Sequence, residues 1–230
     1  MPLEPTTPAW LMAAWVSFKL AGLTTLILLV LGTPLAWWLA RTRSRWRAPI
    51  GAVVALPMVL PPTVLGFYLL VAFAPSGPIG QLTATLGLDT LAFTFNGLLV
   101  ASVLYSLPFV VQPLQAGFSA IPQATLDAAS TLRASPVDRF LTVALPLAKP
   151  SLLAGALLGF AHTIGEFGVV LMVGGNIEGE TRVLSVLLYD QVESMAYGEA
   201  HRLAAGLLVF SFALLLLMQW FGRRTAMVND

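Results

Sequence analysis

Few side chains in the apolar part of this sequence can carry chemistry, and two of them lie close together. The stretch from residue 150 to residue 174 contains only two ionisable side chains, His162 and Glu166, four positions apart. On a helix this spacing puts the imidazole and the carboxyl group on one face, where they can pair. An ionisable group inside an apolar segment indicates function by default, so the pair is a candidate proton relay, gate or buried structural contact.

Several other classes of chemistry are excluded by what the sequence lacks. The 230 residues include no cysteine and two histidines, which excludes disulfides, cysteine nucleophiles and thiolate metal sites and leaves little basis for a zinc cluster. There is no G-x-x-x-x-G-K-[ST] phosphate loop, and no glycine precedes a lysine. The net charge of +1, without a long basic tract, does not favour a nucleic-acid partner. We therefore expect no cofactor or metal in this chain, so that any ATP and Mg²⁺ are bound by a separate subunit.

The composition predicts that membrane-spanning helices position these side chains. Hydrophobic residues make up 57% of the chain and charged residues 10%, whereas soluble domains carry about a quarter charged residues. A helix needs about 20 mostly apolar residues to cross the hydrocarbon core. Five stretches qualify, so we expect an all-α polytopic membrane protein. Its single transmembrane domain is expected to cover residues 10–222 and to contact membrane lipid. The predicted spans are residues 15–38, 50–74, 91–118, 150–174 and 203–222.

The basic residues predict the orientation of these spans. Nine of the twelve lie in the first connection, in the long connection 119–149 and in the tail after the last span. Lysine and arginine near helix ends favour the cytoplasmic side, so we expect the N-terminus outside and the C-terminus in the cytoplasm. The nine residues are Arg41, Arg43, Arg45, Arg47, Arg133, Arg139, Lys149, Arg223 and Arg224.

Prolines interrupt the second predicted span. Pro57, Pro61 and Pro62 each remove a backbone donor, and a membrane tolerates the resulting break only where protein or water satisfies the freed carbonyls. The sequence Pro61-Pro62-Thr63 therefore predicts a broken helix that faces a pathway or other helices. A kink that serves packing alone is the alternative.

The long connection 119–149 has the pattern of two short helices. Residues 123–132 predict one helix with apolar positions on a single face. Ser135 then has the type of an N-cap, Pro136 that of a first helical residue and Asp138 that of a capping-box acid, and the second helix is expected to stop at Pro146. Two short helices joined by a tight turn suit docking into a groove on another protein.

The same connection carries a motif. Asp127-Ala128-Ala129, three residues, Arg133, nine residues, Val143, one residue and Leu145-Pro146 resembles the EAA motif of ABC importer permeases, in which the pattern is Glu-Ala-Ala, Gly, Ile and Leu-Pro at the same spacing. Arg133 departs from the family's glycine, which permits a left-handed backbone that costs other residues about 1 kcal/mol. Either this turn differs, or Arg133 accepts the strain and makes a contact of its own.

The resemblance implies an ABC type I importer-like permease that is not itself an enzyme. In this family the helix pair inserts into a cleft of a cytoplasmic ATPase subunit. The implied assembly is a homodimer of the permease with two ABC ATPase subunits and an external oxyanion-binding protein, in the inner membrane of a prokaryote.

Residues 56–70 are similar to the second spanning segment of molybdate permeases. The stretch Gly165-Glu166-Phe167-Gly168, followed by residues 175–182, resembles the fourth span and the external loop of the molybdate and sulfate permease group. The implied cargo is molybdate, with tungstate or sulfate/thiosulfate as alternatives, and a secondary transporter or channel using Glu166 and His162 as an alternative of another class. An anionic cargo is not expected to bind Glu166, and its contacts would fall to backbone N–H groups and to hydroxyls such as those of Thr63, Thr163 and Tyr68. The candidate pathway or gate residues are Pro61, Pro62, Thr63, His162, Gly165, Glu166, Phe167 and Gly168.

Overall fold

The computed structural model describes residues 8–226, with side chains up to residue 220, and all regular secondary structure in this range is helical. The all-α architecture expected from the composition is thus confirmed. The elements are α1 (Ala9–Arg41), α2 (Arg47–Val59), α3 (Pro62–Phe73), α4 (Pro78–Thr85), α5 (Phe95–Ala120), α6 (Gln123–Thr131), α7 (Pro136–Asp138), a π-helical segment (Arg139–Ala144), α8 (Leu145–Leu147), α9 (Lys149–Gly165), α10 (Gly168–Gly174), α11 (Leu184–Glu193) and α12 (Tyr197–Ala226).

Four stretches of the described chain are long and apolar enough to cross a membrane. They are Ala9–Arg41, Pro62–Thr85, Phe95–Ala120 and Tyr197–Trp220. A fifth span is present if Pro136–Leu147 and α9 are taken together, although they are bent by 71°. Five spans are predicted, so the number agrees only with this bent pair included. The ends differ from the predicted ones because α1 continues past its apolar stretch and because the double proline separates α2 from the second span, which then extends to Thr85. The clearest case is α1, which begins six residues before the predicted start at Trp15.

The second predicted span is broken at its prolines, as the sequence indicates. Leu60 has the extended backbone that is favoured before a proline, with φ −69° and ψ 135°, and α2 ends one residue earlier. Pro61 is the N-cap of α3, and Pro62 takes the first helical position, where its missing N–H costs nothing. By contrast, Pro57 stays inside α2, so only the double proline ends a helix.

The fourth predicted span is also broken, which the sequence does not indicate. The helix α9 ends at Gly165, and Glu166 then takes an extended backbone with ψ 131° before α10 begins at Gly168. No proline lies at this break. A Cβ atom built on Gly168 would be 2.8 Å from the Cβ atom of Pro62, so the two helix breaks pack directly against each other. The end of α9 therefore coincides with a contact between distant segments and not with a helix-breaking residue in the local sequence.

The core lies where α1, α5 and α9 cross. Leu28, Val110, Leu114 and Phe118 are fully buried there, together with small residues that let backbones approach. At the tightest crossing, a Cβ atom on Gly117 would lie 2.1 Å from the Oγ atom of Ser151. Gly117 thus serves a helix crossing within one chain.

Candidate functional site

The helix pair predicted from the long connection is present, and we call residues 123–147 the knob. Its second helix begins with the predicted capping box: the Asp138 N–H donates to Ser135 Oγ at 3.1 Å, and the Ser135 N–H donates to Asp138 Oδ2 at 3.2 Å. The Ser135 hydroxyl also donates to Asp138 Oδ2 at 2.6 Å. These hydrogen bonds favour the ionised carboxylate and hold the pKa of Asp138 below its ordinary value.

The turn of the knob places Arg133 in the left-handed region, with φ 61°. The Arg133 N–H donates to Ser130 O at 3.0 Å and the Ala134 N–H donates to Ala129 O at 3.2 Å, which is the hydrogen-bond pattern of a Schellman motif. Arg133 occupies the position at which such motifs usually have glycine. The geometry of the turn is therefore kept and Arg133 bears the backbone strain, as one of the two possibilities left open by the sequence expects; the contact of its own stays a prediction.

The sequence predicts that the second helix of the knob stops at Pro146, but it continues to Leu147. The Leu145 N–H donates to Phe140 O, five residues back, so the backbone is π-helical just before the proline. Pro146 has no N–H for the carbonyl of Thr142, and its ring crowds that carbonyl, which favours the wider turn. The chain then bends by 71° into α9.

One face of the knob is anchored in the bundle. Leu126 is 4% exposed, and the Phe140 ring lies 5.5 Å from the ring of Trp37 and 6.0 Å from that of Phe118. The rings of Trp37 and Phe118 are 5.3 Å apart, which completes an aromatic cluster linking α1, α5 and the knob. These ring contacts pack the knob against both α1 and α5.

The knob also exposes apolar side chains among polar ones. Leu132 is 84% exposed, Val137 63% and Leu141 52%, and Asp127 and Ala128 lie on the same exposed helix pair. Large exposed apolar side chains on a protruding helix pair favour contact with another protein. Of the remaining motif residues, Ala129, Val143 and Leu145 are half-buried and Pro146 is exposed.

Arg41 is a second anchor of the knob, and the sequence analysis did not single it out beyond its charge. Its Nη2 group donates to Phe118 O at 2.6 Å and to Ile121 O at 2.8 Å, at the C-terminal end of α5 where carbonyls lack helical partners. Its Nη1 group is 3.5 Å from Gln123 Oε1, and the Gln123 amide donates to Asp127 Oδ1 at 2.9 Å. A single guanidinium thus joins the ends of α1 and α5 to the first helix of the knob.

The candidate pathway residues fall into two groups. Pro62 contacts Gly168, so the breaks at 61–63 and 165–168 are brought together, with Pro61 and Thr63 exposed beside them. His162 lies in the second group, away from the break. The Nδ1 atom of His162 is 2.9 Å from Ser106 Oγ, and the imidazole stacks on Phe109 with ring centres 3.8 Å apart.

The contact between His162 and Glu166 that their spacing allows is not formed. Helical spacing would put them on one face, but Glu166 lies beyond the end of α9 in an extended conformation, and no hydrogen bond joins the two side chains. The carboxyl is 3% exposed, faces the Ser102 hydroxyl without reaching hydrogen-bond geometry, and has no hydrogen-bond partner within residues 8–220. Its main-chain carbonyl accepts from Ser185 Oγ at 2.5 Å, which ties the break to α11.

Thr163 is likewise unavailable to a cargo. Its side chain is 3% exposed, and its hydroxyl donates to Gly159 O at 2.9 Å and contacts Ser106 Oγ at 3.0 Å. Thr63, in contrast, is exposed at the first turn of α3.

The loop after α10 is held in place by polar contacts at the end of the bundle away from the knob. Arg182 Nε donates to Asn176 Oδ1 at 2.5 Å, and the Asn176 amide donates to Asp190 Oδ2 at 2.5 Å. The Thr181 hydroxyl donates to Gly174 O at 2.6 Å, and Gly174 lies beside Leu98 near the start of α5. The segment 175–182 is thus a preformed surface rather than an unstructured link.

Several helices able to span a membrane, two of them broken at a shared contact, and an exposed helix pair at one end define a multi-pass membrane permease. Consistent with this class, residues 32–227 match the family described as binding-protein-dependent transport system inner membrane component. The chain belongs to this family, whose members are transporter subunits rather than catalysts.

Individual relatives in this family are similar over most of their length. The chain is 64% identical over 205 residues to the molybdenum transport system permease protein ModB of Azotobacter vinelandii, covering 89% of this chain and 91% of the relative. It is 35% identical over 222 residues to ModB of Escherichia coli K12, covering 95% of each. A probable sulfate transport system permease protein, cysT of Zygnema circumcarinatum, is 36% identical over 94% of this chain and 74% of its own length.

Solved structures support the fold. A bacterial alginate ABC transporter in complex with an alginate-bound periplasmic protein matches with a TM-score of 0.78 at 17% identity, over 96% of this chain and 80% of the matched one. An inward-facing MetNI methionine ABC transporter matches with a TM-score of 0.68 at 18% identity, over the whole of both chains. The chain thus has the fold of ABC type I importer permeases.

Proposed function

We propose that this chain is the permease subunit of an ATP-driven importer that takes up molybdate across the cytoplasmic membrane. It works as a homodimer with two ATPase subunits, which bind ATP and Mg²⁺, and with an external oxyanion-binding protein. The observation that carries the ATP-driven mechanism is the knob, which exposes apolar side chains and is anchored to α1 and α5.

The knob has the properties needed of a coupling element. It offers the exposed apolar side chains of Leu132, Val137 and Leu141 to a partner. Its inner face is joined to the bundle by the aromatic cluster and by Arg41, so a movement imposed on the knob reaches α1 and α5. An ATPase that closes and opens on nucleotide can therefore shift the bundle between two packings.

The cargo assignment rests on the relatives. The molybdenum permeases named above align over nearly their whole length, and that of Azotobacter vinelandii is 64% identical. The sulfate permease is longer, and its identity of 36% is close to that of the second molybdenum permease at 35%. Molybdate, tungstate and sulfate are all tetrahedral divalent oxyanions, so competition among them is the decisive measurement.

A second copy of the chain would complete the pathway. Pro61, Thr63 and the adjoining α3 side chains Phe67 and Tyr68 are exposed beside the paired helix breaks, 51% and 66% in the case of the two aromatic residues. Irregular backbone is tolerated at membrane depth only where protein or a water-filled path covers it. A two-fold axis at this surface would provide that cover and place the pathway between the copies.

The coupling role is tested by co-purification of the tagged permease with its ATPase. In Leu132→Asp a charge replaces an exposed side chain without disturbing the core, and Ala129→Trp adds bulk to the half-buried motif position. We expect both variants to insert normally and to lose the ATPase. Leu88→Asp, at a residue 60% exposed near the opposite end, is the matched control and should retain it. Full retention of the ATPase by Leu132→Asp would refute docking at this face.

The cargo is tested by uptake of labelled molybdate into proteoliposomes that contain the complete transporter and its binding protein. We expect ATP-dependent uptake that tungstate competes for strongly and sulfate weakly. Sulfate uptake as efficient as molybdate uptake would contradict the assignment and leave the permease mechanism in place.

A further inference from the structure

A cavity of about 560 Å³ lies between the end of α1, the connection from α1 to α2 and the knob. It is separate from the paired helix breaks and shares Asp127 with the exposed helix pair of the knob. Its polar lining comes from chain segments that are far apart in sequence. Its principal lining residues are Trp37, Arg41, Arg43, Gln123, Asp127 and Arg139.

The charge of this lining is strongly unbalanced. Three guanidinium groups face the cavity against a single carboxylate, that of Asp127. Asp127 already accepts a hydrogen bond from the Gln123 amide at 2.9 Å. Within residues 8–220, the arginines that form ion pairs are Arg182 and Arg202. The three arginines of the cavity have no carboxylate within 4.0 Å in this range.

Two of the guanidinium groups also carry unused donors. Arg41 and Arg139 bind protein acceptors through their Nη groups, Arg139 Nη1 donating to Ser130 Oγ at 2.7 Å. The Nε atoms of both residues are buried and have no acceptor among the described residues. These Nε atoms lie below the surface, so an anion in the cavity would bind the remaining N–H groups of the Nη atoms.

We propose that this cavity binds a tetrahedral oxyanion, held between Arg43 and Arg139 beside Arg41. Guanidinium groups bind such anions through pairs of parallel hydrogen bonds, and three of them provide a divalent anion with its counter-charge. The same chemistry is met by a free oxyanion or by the phosphate of a lipid headgroup. Bound there, the anion bridges the α1–α2 connection to the knob. The existence of the site does not depend on the proposed cargo. Only the identification of molybdate as the free anion that binds there rests on the proposed function.

The test uses the purified full-length permease together with its ATPase. Equilibrium dialysis with labelled molybdate and labelled phosphate measures free-anion binding, and native mass spectrometry measures retained phospholipid. Arg43→Gln and Arg139→Gln are the test variants. Arg45→Gln is the matched control, because Arg45 is exposed in the same connection and does not line the cavity.

For a free anion, we expect the dissociation constant to rise about tenfold or more in each test variant and to stay unchanged in the control. For a lipid phosphate, we expect a phospholipid retained by the wild type and the control and lost from both test variants. Arg139→Lys keeps the charge without the planar fork and should weaken binding less than Arg139→Gln, which separates the site from a folding defect.

Three results would overturn the site: no anion or phospholipid bound by the wild type, equal loss in Arg45→Gln, or exclusion of the anion from the complex by an ATPase side chain. Failure of molybdate uptake with normal anion binding would instead refute the proposed cargo and leave the site intact.

Discussion

Arg41 should determine how firmly the knob is held to the bundle. In Arg41→Met, a side chain of similar length keeps the apolar contact with Trp37 and loses both hydrogen bonds to the carbonyls of Phe118 and Ile121, at 2.6 and 2.8 Å. In Arg41→Lys, the charge remains but a point-like ammonium replaces the fork, so about one of the two bonds is kept.

The magnitude follows from these two hydrogen bonds. A bond to a charged group contributes about 1.5–3 kcal/mol, and the lower end applies because Arg41 is only partly buried. Loss of both bonds then costs about 3 kcal/mol, and loss of one about 1.5 kcal/mol. Since 1.4 kcal/mol is a factor of ten in an equilibrium constant, local opening of the junction between α5 and the first helix of the knob should rise roughly a hundredfold in Arg41→Met and roughly tenfold in Arg41→Lys.

Hydrogen exchange of the α6 amides in the assembled transporter measures this opening directly. The functional measurement is the number of ATP molecules hydrolysed per molybdate transported, which should increase in the order wild type, Arg41→Lys, Arg41→Met. A residue that only supports folding would lower the amount of protein without changing this ratio. Arg45→Gln should behave as wild type. Equal exchange of α6 in all four proteins would refute the transmission of force through Arg41.

Three further outcomes are expected. Gly117→Ala should destabilise the bundle by about 1–3 kcal/mol, because the added Cβ would lie 2.1 Å from Ser151 Oγ, and Ser151→Gly in the same chain should restore most of the loss in a thermal unfolding assay. Arg133→Gly should raise the unfolding temperature relative to Arg133→Ala by the equivalent of about 1 kcal/mol, because only glycine adopts φ 61° without strain; equal values would contradict the strain. Since the pKa of Asp138 is lowered, its stabilising effect is fully present above its ordinary pKa and is lost as the pH falls through the lowered value. Hydrogen-exchange protection at the start of α7, relative to the intrinsic exchange rate at each pH, should follow this pH dependence in the wild type and should not change with it in Asp138→Asn.

Local chemistry made some of these features predictable. The double proline ends α2 because neither ring has an N–H to donate, whatever surrounds it. The capping box at Ser135 and Asp138 depends on residues three positions apart, so its geometry follows from sequence spacing alone. Apolar length likewise indicates spanning helices, because the bilayer sets the number of residues required.

Other features depend on contacts between distant segments. The break at Glu166 has no proline and lies where Gly168 meets Pro62, more than a hundred positions away. A helical pattern extended through this break would allow a contact between His162 and Glu166, which the extended backbone does not form. From the sequence, Arg41 is only one of several positive charges. Its acceptors are backbone carbonyls at the end of α5, and the identity of the side chains there does not reveal them.

The sequence by itself determined that the chain lies in a membrane, that it lacks the G-x-x-x-x-G-K-[ST] phosphate loop and that a capped helix pair interrupts its spans. Each of these follows from composition or from residues within one turn of one another. Tertiary structure alone decided which breaks meet, which face of the knob is free and that three guanidinium groups surround one cavity. The physical reason is that backbone carbonyls, close glycine crossings and unpaired charges acquire partners only when helices distant in sequence pack together.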